Sequence, residues 1–493
     1  MLISKNKLFI FLLFFLGIIL RLVFVEKQTL WMDEASVYLE SFERSLAETW
    51  SIRHRLQPQN APLFPLMIAG LHSLLKSNEF IFYRYFSALI GILSLFSVYH
   101  FSKLYFRDQK KTLLFFSLIV FSSFHVQFSQ LIRFYILLFL CFYTHLYLSF
   151  KWFEGNQKTS LLLIFIISSV GCWTNQLMAL SFLVSSLFYI QKYGFKFRKL
   201  FIFNSINILG FLSSLPSYIL YMNGKFKIGS YRELSWGDLA YMIKTVFIPK
   251  HLGLSLLDLR QLQHNKYDIK LLLENITNVV FLEIALMFIV VGLWIFYLKK
   301  IRFLKINYLV FIFSLMFFSI FLFYKNVPLN SRYFFIFMPL SLLVFVDNLV
   351  LFGKYKNIAF SFLLFINIFS MGNYYFSTKH HTLNVDKIYS LLSNGNNYVS
   401  LESSRFFISY FNKKYKNKDV SIVENLVNRK KYIQFLPDFF KQKEKFTFVY
   451  THRSVLTLDN LDFIFNDLSK THIIEEAHKS IDPYFKFYKF SRK

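Results

Sequence analysis

Cysteine is nearly missing from this 493-residue chain, which has only Cys141 and Cys172. So few cysteines exclude a disulfide-built scaffold. Both lie in apolar stretches, where cysteine behaves as a small buried hydrophobe. Charge is also scarce: Asp, Glu, Lys and Arg make up 17% of the residues, below the roughly 25% of soluble domains. Acid is the scarcer sign, with 28 Asp and Glu against 56 Lys and Arg and a net charge of +28. There is no glycine-rich phosphate loop, no Walker-type motif and no zinc-ligand spacing. Apolar and aromatic residues are abundant instead, at 55% and 21%, with 66 Phe and 30 Tyr. That hydrophobicity excludes a disordered chain and argues against an ordinary soluble protein. A basic excess suits either a nucleic-acid binder or a membrane protein with charged cytoplasmic loops. The placement of the charge decides between them.

A membrane-spanning helix needs about 20 mostly apolar residues. About eleven segments fit: 8–25, 82–105, 112–128, 134–150, 159–174, 177–191, 200–222, 279–298, 306–324, 333–352 and 357–376. The first is not a cleaved signal peptide, because its apolar run is long, contains Arg21 and is followed by no small-residue cleavage pattern. The N-terminus and alternate loops (106–111, 151–158, 192–199, 299–305, 353–356) hold 17 Lys and Arg but only two acids, Asp108 and Glu154. This is the positive-inside pattern. It predicts a multi-pass inner (plasma) membrane protein with a cytoplasmic N-terminus, and it removes the need for a nucleic-acid partner. The expected fold is α-helical and polytopic over residues 1–376, with outer loops 26–81 and 223–278. Residues 377–493 lack a spanning run. Strand-like runs at 397–401 and 446–450 and helical spacing at 403–412 and 459–469 predict a small extracytoplasmic α/β domain there.

Ionisable groups within or beside membrane spans are costly, so they are functional candidates. Trp31-Met32-Asp33-Glu34 follows the first span, and a carboxylate there could take a proton from an acceptor hydroxyl. The alternative role for Asp33 is to cap an interfacial helix over 34–50. The segment Gln57-Pro58-Gln59-Asn60-Ala61-Pro62-Leu63 leads into a short apolar stretch ending at Leu75, which suits a helix start or a re-entrant bend rather than a regular span; the alternative is a surface helix lying on the bilayer. Arg84 opens the second span, where it could bind a lipid phosphate or snorkel to the headgroups. Ser129-Gln130-Leu131-Ile132-Arg133-Phe134-Tyr135 forms the next outer turn, and on a helix Gln130 and Arg133 would share a face. Asn330-Ser331-Arg332-Tyr333 opens the tenth span. Three outer arginines against the positive-inside trend are economically explained by one shared anion. His380-His381, and His251 with His264, lack metal-site spacing and read as surface or loop residues.

The order of these motifs, with Thr174-Asn175-Gln176 and Pro339, resembles the GT-C membrane glycosyltransferases over roughly residues 8–345. The nearest subgroup is the protein mannosyltransferase and aminoarabinose-transferase-like enzymes of bacteria. The resemblance implies Asp33 as the catalytic carboxylate with Glu34 beside it. It implies Arg84, Arg133 and Arg332 around the donor phosphate, Gln130, Tyr135 and Tyr333 lining the site, and Asn60 and Pro62 at its entrance. Two positions depart from the pattern: Ala61 stands where a proline is common, and Leu131 where an acid often follows the glutamine. The second leaves Asp33 and Glu34 as the only clustered acids, able to serve with or without a divalent ion such as Mg or Mn. The implied reaction is inverting transfer of a sugar from a polyprenyl-phosphate donor to a glycolipid such as lipid A, a polysaccharide or a protein, at the periplasmic face. A lipid-linked glycan flippase would instead carry polar groups along a mid-bilayer path. An O-antigen ligase or polymerase would lack the acidic pair.

Overall fold

In hydrocarbon a chain must satisfy its own backbone polar groups, and a helix does so within one segment. Those apolar runs that the computed structural model describes are accordingly helical. The structure describes residues 5–26, 34, 37, 41, 46–47, 61–77, 79–155, 161–216, 249, 251, 285, 292, 335–376, 398–401, 421–423, 445–451, 466–476 and 485–493. In chain order the helices are α1 (Lys5–Leu22), α2 (Leu63–Leu75), α3 (Phe80–Phe106), α4 (Gln109–Val120), α5 (Ser123–Gln130), α6 (Tyr135–Phe153), α7 (Leu161–Thr174), α8 (Ala179–Tyr193), α9 (Phe197–Ser213), α10 (Met338–Asp347) and α11 (Lys356–Phe376). Short 3₁₀ turns, Gln176–Met178 and Leu349–Tyr355, lead into α8 and α11. Among the described residues three stretches, Phe80–Phe106, Tyr135–Phe153 and Phe352–Phe376, are long and apolar enough to cross a bilayer, and the bent pair α4–α5 makes a fourth if taken as one span. The expected spans 279–298 and 306–324 lie outside the described residues, apart from positions 285 and 292.

The chain divides into two compact units, Met1–Glu26 with Arg44–His380, and Lys27–Glu43 with His381–Lys493. In the first unit, α3 packs along α6, α6 meets α7 and α8, and α7 meets α9. Its helices carry their apolar stripes outward. On α1, Leu8, Phe11, Leu12, Phe15, Leu16, Ile19 and Leu22 are exposed, while Gly17 and Arg21 face inward. On α3, Phe82, Tyr85, Leu89, Leu93 and Phe96 are exposed, while Arg84, Ser87, Ser94 and Ser102 are buried. Both stripes follow the three- and four-residue steps of a helix face. Apolar residues outside and polar ones inside is the arrangement a lipid solvent selects. Cys141 and Cys172 are both buried and unbridged.

The run 112–128, read from the sequence as one span, is two helices bent by 53°. The break lies at Phe121 and Ser122. The Ser122 hydroxyl accepts from the His125 backbone N–H at 3.3 Å, so it starts α5 as an N-cap. Breaking a helix frees the carbonyls of its last turn, and those of Ile119 and Val120 are taken up by Arg21 as described below.

The basic connections gather at the opposite end of α3 and α6 from their Arg84 and Tyr135 ends. Glu154 accepts from Arg107 and, at 2.9 Å, from Lys192. Lys111 pairs with Asp347 at 2.7 Å. Burial alone would push the Glu154 carboxyl up, but the hydrogen bonds and charges of Lys192 and Arg107 outweigh it and hold it below its ordinary value. The same bond raises Arg107.

The second unit contains a five-stranded sheet of β1 (Tyr398–Leu401), β2 (Ser421–Val423), β3 (Lys445–Thr451), β4 (His472–Glu476) and β5 (Phe485–Arg492), in the order β2-β1-β3-β5-β4. β1 runs parallel to β2 and β3, with Val399 opposite Ser421 and Phe448. β5 is antiparallel to β3 and β4, with Phe490 opposite Phe446 and Ile474. The two expected strand runs are β1 and β3. The helix expected at 403–412 lies outside the described residues, and of 459–469 only 466–468 are described as helical. Glu34, Val37 and Ser41 of this unit are buried.

Candidate active site

The sequence-predicted residues divide between described and undescribed positions. Asp33, Asn60, Arg332 and Tyr333 lie outside the described residues. Glu34 is described and buried. Pro62 is buried at the N-cap of α2, whose Phe64, Pro65, Ile68 and Ala69 are also buried. That burial corrects the picture of a helix merely lying on the bilayer, since α2 packs on α7. The turn after it is locked by Tyr83, whose hydroxyl donates to the Ser77 carbonyl at 2.6 Å and lies 3.0 Å from His72 Nδ1.

Arg84, Gln130, Arg133 and Tyr135 sit at one end of the helical unit, and the end of α1 joins the first two. Arg84 Nη1 donates to the Val25 carbonyl at 3.0 Å, and its guanidinium carbon lies 4.8 Å from the centre of the Phe80 ring. Gln130 Nε2 donates to the carbonyls of Val23 (2.9 Å), Arg21 (3.2 Å) and Leu20 (3.3 Å). Arg133 is buried, with its guanidinium carbon 5.6 Å from the Phe134 ring and 5.7 Å from the Tyr135 ring. Tyr135 is buried as well, its ring 5.1 Å from Phe128.

Gln130 and Arg133 do not share a helix face. α5 ends at Gln130 and Leu131 is extended, at φ −100° and ψ 138°. Arg133 therefore belongs to the connection between α5 and α6, where its N–H bonds back to the Leu131 carbonyl at 2.8 Å. A spacing of three indicates a shared face only while the helix continues.

Other residues of this end escaped the sequence reading. Arg21 is fully buried. Its Nη1 donates to the carbonyls of Gly17 (2.9 Å) and Val120 (3.4 Å), and its Nη2 to Ile119 (3.3 Å) and to His125 Nδ1 (2.9 Å). A guanidinium has no acceptor, so His125 Nδ1 supplies the lone pair and its proton resides on Nε2. That N–H then donates to Ser94 Oγ at 2.9 Å, and Ser94 donates to the Gly91 carbonyl at 2.7 Å. The cation also sits at the broken C-terminus of α4, the negative pole of that helix. Tyr374 donates to Gln130 Oε1 at 2.8 Å, and Tyr375 donates to the Leu20 carbonyl. His251 is no surface residue: it is 3% exposed, its ring lies 4.9 Å from Tyr374, and its carbonyl accepts from Asn373 at 3.0 Å. The sequence signal for these residues was a lone polar group inside or next to an apolar run, without any spacing that names its partner. Among the described residues no three His, Cys, Asp or Glu side chains gather as a metal site.

No protein-family model and no curated protein matches this chain. Among solved structures it is similar to ArnT from Cupriavidus metallidurans in the apo state, with a TM-score of 0.51 and 10% identity over 99% of this chain and 98% of that one. At that identity the likeness is one of fold: this chain has the fold of ArnT.

Proposed function

We propose that the chain transfers a sugar from a polyprenyl-phosphate carrier to an acceptor at the outer face of the inner membrane, with inversion at the anomeric carbon. The observation that carries this reading is the gathering of Arg84, Gln130, Arg133 and Tyr135 at one end of the helical unit, on a chain with the fold of ArnT. The exposed apolar stripes offer the carrier's chain a place in the bilayer. Its phosphate then lies at headgroup level, where Arg84, Arg133 and Arg332 bind it through charge-assisted hydrogen bonds. In the reaction the acceptor oxygen bonds to the anomeric carbon as the bond from that carbon to the phosphate oxygen breaks. The arginines stabilise charge developing on the leaving phosphate. Asp33 takes the acceptor hydroxyl's proton, with Glu34 beside it; a phosphate acceptor needs only to be positioned. Tyr135 and Tyr333 line the site, and Asn60 and Pro62 shape its entrance. A divalent ion, where one is used, falls to Asp33 and Glu34, and no step above depends on it. The acceptor is a glycolipid, a polysaccharide or a protein.

Glycolipid mass spectrometry of a strain lacking the protein tests the reading. A missing sugar mass names donor and acceptor together, and Asp33→Asn should fail to restore it while remaining folded. Full activity in that variant sinks the catalytic assignment. An unmodified donor pool trapped on the cytoplasmic side would point to a flippase instead.

A further inference from the structure

We propose that the groove between α3 and α6, at the end away from Arg84 and Tyr135, is a binding site for an anionic phospholipid of that leaflet. The exposed apolar stripe of α3 reaches this end through Leu89, Leu93 and Phe96. At the same helical steps it continues into His100 and Lys103, which are also exposed. One face thus passes from apolar to cationic within about two turns. A lipid at that depth presents acyl chain and headgroup in the same order. α6 supplies the other wall. Ser97 Oγ lies 2.8 Å from Thr144 Oγ1. One turn further on, the His100 and Tyr147 rings are 5.7 Å apart. Beyond them stand Lys103 and Lys151. Lys151 is half-buried, with its Nζ 4.7 Å from the centre of the Tyr147 ring, and the charges of both lysines act on His100.

The described acids of this end are engaged elsewhere. Asp108 caps α4, Glu154 pairs with Arg107 and Lys192, and Asp347 pairs with Lys111. Among the described residues neither Lys103 nor Lys151 pairs with an acid. Like charges held together repel, and more strongly beside a bilayer than in water. The positive-inside trend accounts for lysines at one end of the spans, but not for two of them on facing helices around a histidine. An anion between them removes the repulsion. A phospholipid phosphate takes charge-assisted hydrogen bonds from Lys103 and Lys151 while its chain lies along Phe96, Leu93 and Leu89. Free phosphate would leave that stripe unused, and a zwitterionic headgroup would bring a further cation to the lysines. The site is independent of the sugar transfer proposed above and rests only on α3 and α6 spanning a bilayer.

The test is native mass spectrometry of the delipidated full-length protein in detergent. It is titrated separately with phosphatidylglycerol, with phosphatidylcholine of the same chains, and with inorganic phosphate. Phosphatidylglycerol should bind the wild type, and the other two should bind about tenfold more weakly or worse. Lys103→Met removes an exposed side chain that pairs with no described acid, so the fold is kept. It should weaken phosphatidylglycerol about fivefold, and Lys103→Met combined with Lys151→Met about thirtyfold. Lys110→Met, at an exposed position of α4 at the same end, should stay within about twofold of wild type. Equal binding of phosphatidylcholine, or phosphate binding as tightly as the lipid, overturns the proposal. So does unchanged binding by Lys103→Met, or an equal loss in Lys110→Met, since the end would then be a diffuse basic surface. Polyprenyl phosphate should bind the wild type and the double variant alike. Loss of that carrier from the double variant, with phosphatidylglycerol unaffected, would give the groove to the carrier and overturn the assignment as well.

Discussion

Replacing Arg21 tests whether a fully buried cation stabilises this fold through its fork of donors. The guanidinium holds Gly17 and Val120 with one nitrogen and Ile119 and His125 with the other, and the contacts to Gly17 and His125 are short, at 2.9 Å. Lysine keeps the charge but offers one point instead of a fork, so it keeps one of the two short contacts. A hydrogen bond to a charged group is worth about 1.5–3 kcal/mol. Losing one, with carbonyls of the broken α4 end left short of donors, costs on the order of 3 kcal/mol. Arg21→Met removes the expense of burying a charge, which in some proteins makes such a swap neutral or stabilising. Here it also strips the Val120 carbonyl of its side-chain donor and leaves Ile119 with only the Ser122 N–H, at 3.2 Å, and His125 Nδ1 with only Ser129 Oγ, at 3.2 Å; an unmet buried acceptor costs about 1–3 kcal/mol, so the change should be at least as damaging as lysine. Thermal unfolding in detergent should fall by roughly 5 °C or more for both variants, while Lys7→Met, at an exposed position of α1, should change little. An Arg21→Met protein that unfolds at or above the wild-type temperature would refute the reasoning, because desolvation would then outweigh the contacts.

Other outcomes follow from the same geometry. A Cβ at Gly91 would lie 2.5 Å from Ser129 Cβ, so Gly91→Ala should cost about 1–3 kcal/mol by overpacking α3 against α5, and Ser129→Gly should recover part of it in thermal unfolding. Asn207 Oδ1 accepts from His145 Nε2 at 2.9 Å and from Ser168 at 2.8 Å; Asn207→Leu should cost about 1 kcal/mol, the scale of interhelical hydrogen bonds in membranes. The depressed Glu154 carboxyl stabilises the fold above its unfolded value of about 4.3, and that contribution is lost as pH falls through the lower folded value. Glu154→Gln should therefore unfold slightly earlier at neutral pH, converge with wild type under acid, and converge again in high salt, since Arg107 and Lys192 are exposed enough to be screened. If Arg133 binds the donor phosphate, Arg133→Lys should weaken polyprenyl phosphate binding about tenfold through loss of bidentate geometry.

Much of the helical unit was legible because the bilayer imposes a simple rule on sequence. A run of apolar residues in lipid has no competing structure to a helix, so α1, α3, α6 and α11 lie where hydropathy puts them. The break in 112–128 was not legible. Phe121 and Ser122 are unremarkable in a helix, and the break is stabilised by Arg21, about 100 positions earlier. His251 does lie in a turn, but its burial was not legible because nothing in its neighbours signals Tyr374 and Asn373 of α11. Gln130 did read as a site residue, but its role could not be read. A spacing argument places it on a helix face, whereas its partners are the carbonyls of α1, which no side-chain pattern encodes.

The sequence by itself determined that this chain is helical and apolar, that its basic loops alternate, and that a short acidic segment follows its first span. Those properties depend on transfer of local segments from water to lipid, which composition and run length set directly. The tertiary structure decided which carbonyls Arg21, Arg84 and Gln130 serve. It also decided that Arg133 stands in a connection rather than on Gln130's helix. These depend on which helices lie side by side, because a polar group buried in lipid takes the partner its neighbour brings within about 3 Å.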